Sequence, residues 1–84
     1  MPYIKSEMRK GFVKSIQDLE QINTCGELNY VITNLCINFL KKKGINYQNI
    51  NEVIGVLECA KLENYRRLAS KYEDSKISEN GDVY

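Results

Sequence analysis

Val53-Ile54-Gly55-Val56-Leu57-Glu58-Cys59-Ala60-Lys61-Leu62-Glu63-Asn64-Tyr65-Arg66-Arg67-Leu68-Ala69-Ser70-Lys71-Tyr72 decides the fold class. Ile50, Val53, Ile54, Leu57, Tyr65, Leu68 and Tyr72 recur at helical spacings and form one main stripe. No period-two alternation breaks the pattern, so a strand is excluded here. The spacing predicts a helix over residues 48–72. Asn49 with Glu52 offers a capping pair at its start, and Asn46 is an earlier alternative.

The same reading extends toward the amino terminus. Thr24-Cys25-Gly26-Glu27 fits the capping box, in which the hydroxyl accepts from the third amide and the carboxylate reaches back. Leu28, Val31, Ile32, Leu35, Cys36 and Phe39 then form one broad face, and Lys41-Lys42-Lys43-Gly44 supplies a stop. Cations suit the negative end of the helix dipole, and glycine can adopt the left-handed conformation after it. This predicts a helix over residues 25–43. A first helix over residues 5–21 follows from Met8, Phe12, Ile16, Leu19 and Ile22, opposite Lys10, Lys14, Asp18 and Glu20. Residues 73–84 are polar, carry an Asn80-Gly81 turn signal, and read as a tail. The expected fold is therefore all-α: one small three-helix domain over residues 1–84, with a long C-terminal helix and a polar tail.

A chain of 84 residues buries only about 60% of its unfolded surface, so a core this small is marginal alone. Small domains meet that deficit with disulfides, a metal or self-association. The three cysteines, Cys25, Cys36 and Cys59, are odd in number and widely spaced, which reads as free thiols in a reducing cytoplasm, most of them small buried apolar residues. No histidine and no CxxC pair is present to hold zinc. No apolar run approaches the ~20 residues that span a bilayer, and the start lacks an apolar signal segment. Self-association remains. Tyr30, Ile37 and Leu40 lie opposite the main face of the second helix, and Gly55, Cys59, Leu62 and Ala69 lie off the stripe of the third. Helices apolar on several sides must be buried on several sides, which predicts a homo-oligomer.

Function is constrained mainly by what is missing. No phosphate-binding glycine loop, nucleotide fingerprint or paired-carboxylate constellation occurs, and histidine, the commonest general base, is absent. The reading is a non-enzymatic protein without catalytic residues, metal or cofactor. Twelve basic against 11 acidic residues leave a net charge of +1, which argues against a dedicated nucleic-acid binder.

One feature suggests a site. Lys61 falls near the centre of the third helix's apolar stripe, flanked by Glu58, Asn64 and Tyr65, with Arg66 and Arg67 just beyond. A charge on a buried face is costly unless paired or wet. It is either an ion pair with Glu58 one turn back or a polar pocket for an anion at a subunit interface. The candidate ligand-binding residues are Tyr30, Glu58, Lys61, Asn64, Tyr65 and Arg66. Tyrosine, with an apolar ring and a polar tip, suits interfaces and ligand stacking.

The segments Gly26-Glu27-Leu28-Asn29-Tyr30-Val31-Ile32-Thr33, Asn46-Tyr47-Gln48-Asn49-Ile50-Asn51 and Gly55-Val56-Leu57-Glu58-Cys59-Ala60-Lys61-Leu62-Glu63 resemble a family of short proteins. So do Tyr65-Arg66-Arg67 and Glu79-Asn80-Gly81-Asp82-Val83-Tyr84. That family occurs in bacteriophages and phage-rich environmental sequences and carries no assigned function. The resemblance spans nearly the whole chain and implies a phage-type accessory protein of the host-cell cytoplasm; it carries over no catalytic or binding residue. Proteins of that kind commonly work by binding, which leaves two expectations. One is a self-associating protein that holds a small anion, such as a nucleotide-type host defence signal. The alternative is an interaction module that inhibits or adapts a host or phage protein through an apolar helix face.

Overall fold

The computed structural model describes residues 1–84 and is built from helices alone: α1 (Ser6–Gln17), α2 (Cys25–Lys43), and a long helix from Tyr47 to Asn80. The long helix comprises α3 (Tyr47–Asn64), a π turn (Tyr65–Ala69) and α4 (Ser70–Asn80). Right-handed helical dihedrals at Asn64, Ala69 and Ser70 carry the chain through both joints without a break. Its contacts divide it into two compact units, Pro2–Val53 and Ile54–Tyr84 with Met1.

In the unit Pro2–Val53 the helix ends are closed by side chains. Glu27 N–H donates to Thr24 Oγ1 at 3.0 Å, and Glu27 Oε1 accepts from Thr24 N–H at 2.9 Å and from Asn23 N–H at 3.0 Å. The expected capping box is present with one extra bond. These donors hold the Glu27 carboxyl below its ordinary value, the Asn23 amide contributing most. Gly44 ends α2 at φ 113°, a conformation that a side chain would strain. Asn46, not Asn49, caps α3: its Oδ1 accepts from Asn49 N–H at 2.9 Å. Asn49 instead turns back and donates Nδ2 to the carbonyls of Gly44 and Lys43, at 2.9 and 3.3 Å. It thereby satisfies acceptors that the end of α2 leaves open. The turn Gly44–Asn46 is short and doubly stitched.

Two boundaries differ from the sequence expectation. α1 stops at Gln17, and the chain from Asp18 to Ile22 turns through bonds three residues apart, such as Leu19 N–H to Ile16 C=O at 3.1 Å. Leu19 and Ile22 continue the apolar spacing, but they do so on a turn that brings them against the start of α2. The segment 73–80, expected as a polar tail, is helix α4 to its stop at Gly81 (φ 89°). It carries few apolar residues, so hydrophobic periodicity could not reveal it. Helix-favouring Glu and Lys, a Lys76–Glu79 pair at 3.0 Å, and Lys76 over the Tyr72 ring at 5.5 Å support it.

The chain has almost no interior. Val53 is the only buried residue. Within the unit Pro2–Val53, α1 and α2 do not pack along one another. The accessible surface is 7693 Å², whereas a folded monomer of 9.7 kDa exposes about 5,100 Å². The excess is about 2,600 Å² on that scaling. No helix is long and apolar enough to cross a membrane.

Replacing Thr24 by Ala removes one acceptor at the start of α2 and is expected to cost about 1 kcal/mol in urea or thermal unfolding. The depressed Glu27 carboxyl stabilises the fold above its ordinary value of 4.5, and that stability drains away as acid titrates it lower. Glu27→Gln is expected to flatten the acid limb of the stability profile.

Candidate functional site

The segment singled out in the sequence spans the end of α3 and the π turn. In an α-helix each amide reaches back four residues; here Ser70 N–H reaches Tyr65 C=O, five back. The turn therefore holds one extra residue, and everything after it is rotated by about 100° relative to a regular helix. Eight residues then cover close to two turns, which stacks Tyr65 over Glu73. The Tyr65 hydroxyl donates to Glu73 Oε1 at 2.7 Å. That bond, with the charge of the same carboxylate behind it, raises the Tyr65 hydroxyl above its ordinary value of 10.0.

Lys61, Asn64, Tyr65, Leu68, Ala69 and Tyr72 line one shallow depression of about 490 Å³. Three of the expected site residues are thus brought together, and Leu68, Ala69 and Tyr72 are added to them. The charges, however, are held locally. Lys61 Nζ lies 3.2 Å from Glu58 Oε1 with both side chains largely exposed, and Arg66 lies 2.9 Å from Glu63 Oε1. Asn64 Nδ2 is spent on the Ala60 carbonyl at 2.9 Å. Lys61 is exposed along with its partner, although it falls near the centre of the apolar stripe. The pairing with Glu58 is the one its spacing allowed.

Tyr30 stands elsewhere. It lines a depression of about 330 Å³ in the unit Pro2–Val53 with Leu19, Ile22, Gly26, Glu27 and Val31. Its ring is exposed, and only its carbonyl is engaged, by Asn34 Nδ2 at 2.9 Å. All three cysteines are free, but most are not the buried apolar residues expected: Cys25 and Cys59 are exposed, and Cys36 is half-buried. No group of three or more His, Cys, Asp or Glu side chains is arranged to hold a metal ion.

Glu73 was missed from sequence because it fell in the supposed tail. A Tyr and a Glu eight apart also carry no signal until the π turn is known. The one hint was the break in apolar spacing between Leu57 and Tyr65.

A spectrophotometric titration checks the geometry of the turn. Tyr65 is expected to ionise above 10.0, later than an exposed tyrosine. Glu73→Gln should return it toward that value, because the neutral phenol loses its anionic acceptor. The contribution of this bond to stability is present below that value and disappears as alkali ionises the hydroxyl.

A family model described as a domain of unknown function, DUF6899, matches residues 1–83, and the chain belongs to that family. No curated protein and no solved structure matches it.

Proposed function

We propose that this DUF6899 member is a non-enzymatic interaction protein that acts through apolar helix faces, in the manner of a phage-type accessory protein that binds a host or phage protein in the host-cell cytoplasm. One observation carries the reading: only Val53 is buried, while large apolar side chains on every helix are exposed. Large contiguous exposed apolar patches mark interaction sites, and exposed apolar side chains on every helix supply the material for one. The face of the π turn is the candidate for the partner. Leu68 and Tyr72 are exposed there beside Tyr65, and tyrosines at such a place offer apolar area with a polar tip.

A second reading has a specific observation behind it. Lys61, Asn64 and Tyr65 do share one depression, which suits a small anion such as a nucleotide. It is second because Glu58 and Glu63 already occupy the nearest cations. An anion would have to displace those carboxylates.

Affinity capture from host-cell lysate, paired with calorimetry, separates the two. The interaction reading expects a stoichiometric protein held by the wild type and lost at Leu68→Glu and Tyr72→Glu, with flat titrations against linear and cyclic nucleotides. A saturating nucleotide isotherm abolished by Lys61→Ala, with no protein captured, would establish the anion reading instead.

A further inference from the structure

We infer that a second copy of this chain covers one particular face of α2, paired antiparallel across a twofold axis. This rests on the reading that the exposed apolar faces are binding surfaces, and it names the occupant of one of them.

The face is Leu28, Ile32, Leu35 and Phe39. Their spacing of four, three and four is the heptad rhythm of a coiled-coil seam, and it runs along the middle of the broad apolar face of α2. All four are exposed, at 48%, 39%, 59% and 46%, so nothing in the chain covers the seam. The turn after α1 meets the flank of α2 beside the seam, where Leu19, Ile22 and Val31 are half-buried.

Two observations point to a like partner. The residues flanking the seam, Asn29, Val31, Cys36 and Asn38, are uncharged, so two identical seams meet without like-charge repulsion, and no charge pattern selects a foreign helix. The ends of α2 choose the direction. Glu27 lies in its first turn and Lys41, Lys42 and Lys43 in its last, so a parallel pair would crowd six lysines together. An antiparallel pair sets each lysine cluster beside the partner's acidic, amide-rich start, where charge and helix dipoles both attract.

The antiparallel register sets Leu28 against Phe39 of the partner subunit, and Ile32 against Leu35 of the partner subunit. Such an interface is isologous, each residue meeting its counterpart twice.

Light scattering of the full chain is expected to give twice 9.7 kDa. Leu35→Glu and Ile32→Lys should each weaken the dimer about 100-fold or more, since a charge enters an apolar seam. Mixing the two variants is the decisive measurement. In the antiparallel register Glu at 35 of one chain faces Lys at 32 of the other, so an equimolar mixture should recover the dimer and its cooperative melt. Recovery on mixing keeps the test valid even if each variant alone fails to fold. A cooperatively folded 9.7 kDa monomer overturns the proposal, as does a dimer indifferent to Leu35→Glu. So does recovery only with Leu35→Lys, which would signify a parallel pair. A monomer that still captures a foreign protein overturns self-pairing and leaves the interaction reading intact.

Discussion

An apolar helix face has to be covered, and in this chain the helices do not cover one another. Folding must offset a conformational entropy cost of about 1–2 kcal/mol per residue, mainly by removing apolar surface from water. With Val53 alone buried, the hydrophobic term within one copy is small. What holds a single copy in shape is therefore local: backbone hydrogen bonds within helices, side chains that close their ends, and ion pairs one turn apart. These set the directions of the helices and where each stops. Both proposals for function start from that deficit and assign the larger stabilising term to contacts with another molecule.

The π turn is the second organising device. One extra residue between Tyr65 and Ala69 rotates α4 relative to α3 and so decides which side chains share a face. The rotation sets Tyr65 over Glu73. Insertions of this kind cost hydrogen-bond geometry and recur at functional positions. Here the π turn begins just after the apolar spacing of the long helix falters at Lys61, and the depression lined by Lys61, Asn64, Leu68 and Tyr72 spans the end of α3, the turn and the start of α4.

Charge follows the same local logic. Glu58 with Lys61, Glu63 with Arg66 and Lys76 with Glu79 are all three residues apart on the long helix. Exposed pairs of this type contribute little stability. Their consequence is for recognition: they quiet a segment that would otherwise read as a basic patch, and leave its tyrosine and leucine side chains as the more distinctive chemistry.

Features that depend on neighbours in sequence were legible from the residues. The helical class, the capping box at Thr24 and Glu27, the stop at Gly44 and the pair between Lys61 and Glu58 each involve groups at most four apart, where helix geometry alone determines who can meet. Features needing longer range were not. α4 escaped notice because helices with few apolar residues leave no periodic trace. Glu73 escaped because a contact across eight residues exists only once the π turn has changed the register. Leu57, Leu68 and Tyr72 fall on a stripe that suggests a cover, yet all three are exposed, because a stripe records only that a helix needs one. Which molecule supplies it is settled by tertiary and quaternary packing, and within one copy of this chain that packing is almost absent.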